Sequence, residues 1–150
     1  MADQYHLTWS ETDALCNILY TKIKESGESF DKIIGIVRGG AIPGVILSHR
    51  LGINLYTIGL KTYDDKVQSD KIEIYGLDPV FYVNCKNSHI LIVDDICDSG
   101  QSIEILKDLF GRCTTVAPKF ATLHRKERAS VCPDFYADTT DKYIVYPWEQ

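Results

Sequence analysis

Apolar positions along the chain change period several times, and each change marks an element. Leu15, Leu19 and Ile23 recur every four residues, the stripe of a helix that buries one face. Thr8-Trp9-Ser10-Glu11 fits a capping box, so this helix opens near Thr8, and Gly27 stops it. Ile33-Ile34-Gly35-Ile36-Val37 shows no alternation, and such a run suits a strand covered on both faces. After Arg38-Gly39-Gly40 the pattern predicts a helix over residues 41–51, ended by Gly52, and a strand over 54–60. Together these form a strand–helix–strand unit.

Residues 61–71 are the most polar stretch and are expected to be a long mobile loop, the tip of a hairpin continuing through Ile72-Glu73-Ile74. A second buried strand over 90–93 leads into Asp94-Asp95-Ile96-Cys97-Asp98-Ser99-Gly100. A helix over 101–110 follows, with Ile103, Leu106 and Phe110 on one face, then a strand over 114–123 and two short apolar-aromatic stretches near Phe135 and Ile144. Strands alternating with helices imply a right-handed α/β fold with a mostly parallel central sheet flanked by helices. In such sheets the ligand site lies beyond the carboxyl ends of the strands. The two strand ends richest in chemistry are Arg38-Gly39-Gly40 and residues 94–102.

Composition narrows the partner. The 150 residues fit one domain spanning 1–150, with no low-complexity tract, repeat or linker-like shift. Sixteen Lys and Arg against 21 Asp and Glu give a net charge of −5, which disfavours a nucleic-acid partner, because neutralising phosphates along a duplex takes a basic surface. No apolar span is long enough for a membrane helix, and the first residues lack the pattern of a signal peptide. The five cysteines include no C-x-x-C and no close histidine pair that would suggest zinc. They fit reduced thiols in a cytoplasmic protein.

Residues 98–102, Asp-Ser-Gly-Gln-Ser, open a helix and form an anion cradle. Helix-start N–H groups have no intrahelical partner there, and the helix dipole adds positive potential. Ser99 and Ser102 can donate to the same anion, and Gly100 permits positive φ or close approach. Just upstream, Asp94 and Asp95 can accept from vicinal hydroxyls, so phosphate and diol together suggest a sugar phosphate. A P-loop nucleotidase and a response-regulator receiver also place acidic residues after a strand. The chain has no G-x-x-x-x-G-K-[ST], and only 55 residues follow Asp95, which leaves too little of a receiver's sheet to come.

Residues 90–102, ILIVDDICDSGQS, resemble the phosphoribosyl-pyrophosphate (PRPP) signature of type I phosphoribosyltransferases. The resemblance extends over nearly the whole chain and is nearest to the short xanthine-guanine and purine phosphoribosyltransferases of bacteria and archaea. It is carried by Leu7-Thr8-Trp9, by IIGIVRGGAIPGVILSHRLG from Ile33, by Lys126 with Ser130-Val131-Cys132-Pro133-Asp134, and by the tail YIVYPWE. It implies the fold of that family, with a small hood from the terminal segments. It also implies transfer of a 5-phosphoribosyl group from PRPP to a 6-oxopurine (guanine, xanthine or hypoxanthine), with Mg2+ and release of pyrophosphate.

Residue by residue, the resemblance gives the 5-phosphate to Asp98, Ser99, Gly100, Gln101 and Ser102. Ser stands at both positions where Thr is commoner, and Gln101 replaces a small or basic residue. Asp94 and Asp95 would meet the ribose hydroxyls directly or through Mg2+. Arg38, Gly39, Gly40 and Lys61 would hold the pyrophosphate, joined by Lys66 or Lys71 of the polar stretch, where relatives often carry arginine. Lys126 would donate to the six-position oxygen, because an ammonium has donors only. Tyr143 would stack on the purine, and Ile144, Trp148 and Glu149 would face its two-position. Asp98 would be the general base for the departing ring proton. A homodimer or homotetramer is expected. Two alternatives stand beside this reading: a non-catalytic PRPP- or nucleotide-sensing regulator on the same fold, and an enzyme for another base. No family role attaches to His6, His49, His89 or His124, which are read as structural or surface residues.

Overall fold

The computed structural model describes residues 3–63 and 71–150. Its elements in chain order are β1 (Gln4–His6), α1 (Trp9–Glu25), β2 (Lys32–Val37), α2 (Ala41–Leu51), β3 (Leu55–Tyr63) and β4 (Lys71–Tyr75). Then come α3 (Pro79–Asn84), β5 (Ile90–Cys97), α4 (Gln101–Gly111), β6 (Lys119–Arg125), β7 (Phe135–Thr139), β8 (Tyr143–Val145) and a closing 3-10 turn, Pro147–Glu149.

Six strands form one sheet in the order β4-β3-β2-β5-β6-β7. All neighbours are parallel except β3 and β4. The central strands are apolar without interruption because each of their faces is covered. Ile33 of β2 and Leu91 and Val93 of β5 join one buried cluster with Leu19 and Ile23 of α1 and Leu47 of α2. Ile34 and Ile36, with Ile90 and Ile92, join the opposite cluster with Ile103, Leu106 and Phe110 of α4. This is the expected α/β architecture.

The crossover from β2 leads to β3 on one side, while β5 lies on the other, so the order of winding reverses between β2 and β5. Such a switch point opens a crevice at the carboxyl ends of the two strands. Both chemistry-rich strand ends lie there. The hood is a separate two-stranded parallel sheet that pairs β1 with β8 in the register Gln4↔Tyr143, Tyr5↔Ile144, His6↔Val145. Leu7 N–H donates to the Val145 carbonyl and Tyr143 N–H to that of Asp3, both at 2.9 Å, which fastens the C-terminal tail to the first residues.

The first helix behaves as its sequence indicates. The Thr8 hydroxyl accepts from Glu11 N–H at 3.1 Å while the Glu11 carboxylate accepts from Thr8 N–H at 2.8 Å, closing the capping box. Three expectations change. The strand expected from residue 114 begins at Lys119: Cys113 and Thr114 N–H still donate to the Phe110 carbonyl, and Pro118 has no N–H for a ladder. The strand expected over 90–93 runs on to Cys97, because β6 pairs alongside it as far as Cys97↔Arg125. Asp94 and Asp95 are therefore strand residues. Lys61 likewise belongs to a strand, β3, opposite Glu73 of β4. α3 is an addition, a single short helix capped by the Asp78 carboxylate, which accepts from Val80 N–H at 2.7 Å. None of the described helices is long and apolar enough to cross a membrane.

Candidate functional site

At the end of β2 the Val37–Arg38 peptide is cis, and Arg38-Gly39-Gly40 turns directly into α2. The approach is too close for side chains. A methyl group on Gly40 would lie 2.3 Å from the Val93 carbonyl oxygen, and one on Gly39 would lie 2.0 Å from Oδ2 of Asp95. The Asp95 carboxylate thus rests on the Arg38-Gly39 turn and joins the ends of β2 and β5.

The two carboxylates are tied to one another and to the strand. Asp95 N–H donates to Oδ1 of Asp94 at 2.9 Å, and Ile96 N–H donates to Oδ1 of Asp95 at 2.7 Å. Burial pushes the Asp94 carboxyl well above the usual range, and the negative charge of Asp95 adds to this. Burial raises Asp95 as well, opposed by its side-chain hydrogen bond with the Asp94 carboxyl and by the one it accepts from Ile96 N–H. Two adjacent carboxylates pushed toward protonation by burial favour a nearby cation.

Beyond β5, Gly100 has φ 92° and stands at the N-cap of α4 with no side-chain cap. A Cβ there would also meet Val131 N at 2.9 Å, so the position is closed to other residues by conformation and by space. The turn is braced from one side: Ser130 N–H and its hydroxyl both donate to the Ser99 carbonyl, at 3.0 and 2.9 Å. Ser99 Oγ in turn accepts from Gln101 N–H at 3.2 Å. A small cavity of about 100 Å³ lies against this turn, lined by residues 98–102 together with Asp94 and Thr122. The Thr122 hydroxyl is buried there with no hydrogen-bond partner among the described residues.

A larger cleft of about 670 Å³ brings together Arg38, Gly39, Asp95, Tyr143, Val145, Trp148 and Glu149. Residues from three distant stretches of sequence meet here. Tyr143 is 55% exposed at its edge. Lys126 stands beside it: its N–H donates to the Cys97 carbonyl at 2.9 Å and its ammonium donates to the Lys142 carbonyl, one residue before Tyr143. Ile144 lies elsewhere, buried in the core and lining a different cavity with His124 and Leu15. Lys61 and Gly40 are not among the residues lining the cleft. Lys71 opens β4 opposite Tyr63, and Lys66 lies outside the described residues.

Three features have no counterpart among the sequence candidates. Arg128 places Nε 3.0 Å from Oδ1 of Asp98, an ion pair exposed on both sides. Tyr146 is 1% exposed, stacks on Trp148 (ring centroids 4.8 Å apart, planes at 11°), and points its hydroxyl at the Asp95 carbonyl. His124, read from sequence as a structural or surface residue, is buried with Nδ1 2.9 Å from that hydroxyl. The sequence signal for Tyr146 was its place in the aromatic tail, two residues before Trp148. Nothing local marks His124 or Arg128.

Among the described residues no cluster of three or more His, Cys, Asp or Glu is arranged to hold a metal ion. Asp94 and Asp95 together make a two-carboxylate set. That donor set fits Mg2+, which keeps several waters and takes further oxygens from a phosphorylated substrate.

Residues 3–150 match the family model for the phosphoribosyl transferase domain. A curated relative, the xanthine-guanine phosphoribosyltransferase of Cereibacter sphaeroides, is 28% identical over 97% of this chain and 86% of its own. A solved purine phosphoribosyltransferase from Pyrococcus horikoshii superposes with a TM-score of 0.85 at 36% identity, covering 99% of this chain and 95% of that one. A protein from Neisseria gonorrhoeae, solved with bound ppGpp, gives 0.83 at 27% identity over 100% and 91% of the two chains.

Proposed function

The chain belongs to the phosphoribosyl transferase domain family and is a purine phosphoribosyltransferase, and from that premise we propose that it transfers the 5-phosphoribosyl group of PRPP to a 6-oxopurine. The products are the nucleoside 5′-monophosphate and pyrophosphate. The observation that carries this reading is the meeting of Arg38, Asp95, Tyr143, Trp148 and Glu149 around one cleft, with the α4 anion turn next to it on β5.

In this reading the uncapped start of α4, with Ser99 and Ser102, holds the 5-phosphate. Arg38 and the Gly39-Gly40 backbone, with Lys61, receive the pyrophosphate. Asp94 and Asp95 would hold Mg2+ and the ribose hydroxyls, and that site would supply charge neutralisation for the leaving group. The same two carboxylates face the positive charge that develops on the ribose. Asp98 accepts the proton from the purine imidazole. The ion pair with Arg128 keeps its carboxylate at the mouth of the turn, and Arg128 must swing away to free it. Tyr143 and Trp148 flank the base, while Ile144 contributes backbone only. Lys126 selects the six-position oxygen by turning its ammonium from the Lys142 carbonyl.

The enzyme works in the cytoplasm as a homodimer or homotetramer with a place in purine salvage. A second reading, a nucleotide-sensing regulator on the same fold, is favoured by the gonococcal neighbour solved with ppGpp. One experiment separates the two. Purified protein is incubated with PRPP, Mg2+ and each of guanine, xanthine, hypoxanthine, adenine and uracil, and pyrophosphate release is measured. Release with the three oxopurines supports the proposal, release with adenine or uracil alone reassigns the acceptor, and no release with any base leaves the regulator.

A further inference from the structure

Tyr146 touches the site at three places. Its ring stacks on Trp148, its N–H donates to the Glu149 carboxylate at 2.9 Å, and its hydroxyl lies 3.2 Å from the Asp95 carbonyl oxygen. One side chain therefore joins the base-facing tail to the acidic strand. Its hydroxyl also meets Nδ1 of His124 at 2.9 Å, and both residues are nearly inaccessible, at 1% and 4% exposure.

A phenol has one proton, and the Asp95 carbonyl can only accept. Both contacts are hydrogen bonds only when Tyr146 donates to Asp95 and His124 donates to Tyr146 from a protonated Nδ1. That tautomer puts the lone pair on Nε2, on the side of the imidazole away from Tyr146. The surroundings keep both groups uncharged. Burial holds the His124 imidazole below its usual range, opposed by Asp138 and assisted by Lys126. Burial raises the Tyr146 phenol, and the negative charges of Asp95, Asp94 and Glu149 raise it further.

We infer that His124 and Tyr146 form a positioning pair for the phosphoribosyl transfer, with the Nδ1–H of His124 fixing Tyr146 and Tyr146 fixing the Asp95 backbone relative to the Trp148-Glu149 wall. The inference rests on the proposed function for its catalytic part, while the hydrogen-bond direction stands on geometry alone. Neither residue touches the reacting atoms. Their effect is on where the Asp95 carboxylate sits when charge develops on the ribose.

Two measurements test it. The histidines are labelled with 15N and their tautomers read by NMR, with His124 assigned from a His124→Leu variant. The expected result is an Nδ1–H tautomer for His124 in the wild type, lost in Tyr146→Phe. The second measurement is steady-state kinetics. Tyr146→Phe keeps the stacked ring but removes the donor, so kcat should fall about tenfold, equivalent to ~1.4 kcal/mol, while KM for the purine changes less than about twofold. His124→Asn keeps an N–H near the Nδ1 position and should retain more kcat than His124→Leu at equal thermal stability. An Nε2–H tautomer in the wild type, wild-type kcat in folded Tyr146→Phe, or equal loss in His124→Asn and His124→Leu would each overturn the inference. Wild-type protein that is inactive with every base overturns the proposed reaction and, with it, the catalytic part; the tautomer measurement still decides the hydrogen-bond direction.

Discussion

Replacing Gly39 with Ala adds one methyl group at the place where β2 and β5 are closest in chemistry. The new Cβ would stand 2.0 Å from Oδ2, 2.4 Å from Cγ and 2.8 Å from Oδ1 of Asp95. Nothing in the backbone opposes alanine, since Gly39 is not among the positive-φ glycines. The three nearest atoms all belong to the Asp95 carboxylate, which has to leave. Leaving breaks its hydrogen bond from Ile96 N–H, now 2.7 Å.

A hydrogen bond to a charged group contributes about 1.5–3 kcal/mol, and overpacking a tight site costs about 1–3 kcal/mol. If about 3 kcal/mol of this appears in the transition state, kcat falls by ~10²-fold. The assay is pyrophosphate release under saturating PRPP and base, with a thermal melt to confirm folding. Gly111→Ala is the control, because a Cβ on that helix-terminal glycine has nothing within 4 Å. Wild-type turnover in folded Gly39→Ala would refute the placement of the Asp95 carboxylate on this turn and its role in the reaction.

Asp98→Ala should lower turnover by ~10²–10⁴ if Asp98 takes the imidazole proton, with little change in stability because its ion pair with Arg128 is exposed. Unchanged turnover would remove the assignment. Lys126→Ala should reduce the preference for hypoxanthine over adenine by ~10-fold or more, read from paired kcat/KM values, and an unchanged ratio would count against the lysine. Because His124 is held below its unfolded value, the folded protein binds fewer protons than the unfolded chain as pH falls through ~6.5. Its stability contribution is therefore present above that pH and lost as pH falls toward the folded value. Melts from pH 7.5 to 5 should steepen in the wild type relative to His124→Asn, and identical slopes would contradict the buried neutral imidazole.

Local chemistry made the first helix, the two central strands and the α4 turn legible, because each is announced within a few residues. The capping box at Thr8 and Glu11 closes as read, and the apolar runs at Ile33 and Ile90 are strands for the reason given, cover on both faces. Where an element depends on a partner far along the chain, the pattern alone does not reveal it. β5 extends through Asp94 and Asp95 because β6 lies beside it, and β1 is a strand only because β8 returns to pair with three exposed residues. α3, six residues long, has no room for a helical period, though Asp78-Pro79 carries its start. The same division holds in the site. The Asp94-to-Ser102 run is contiguous and was visible, whereas His124 and Tyr146 lie 22 residues apart and meet only in the folded chain.

The net charge of −5 acquires a more specific meaning once the cleft is built. Among the described residues its lining holds one cation, Arg38, against the carboxylates of Asp95 and Glu149, and the rest is glycine, valine and aromatic rings. In the proposed reaction PRPP brings a diphosphate to that place. Unit charges ~6 Å apart at an effective dielectric near 20 repel by about 3 kcal/mol, so an acidic cleft opposes the leaving group it must bind. A divalent cation on Asp94 and Asp95 would cancel that excess. PRPP affinity, measured by calorimetry with and without Mg2+, should therefore weaken by ~10²-fold or more on chelation, a difference of about 2.7 kcal/mol. In an Asp94→Asn, Asp95→Asn double variant the dependence should shrink to a few-fold, with weak binding in both conditions. Equal PRPP affinity with and without the metal in the wild type would show that Arg38, Lys61 and the α4 turn suffice, and would remove the carboxylates' proposed part in binding.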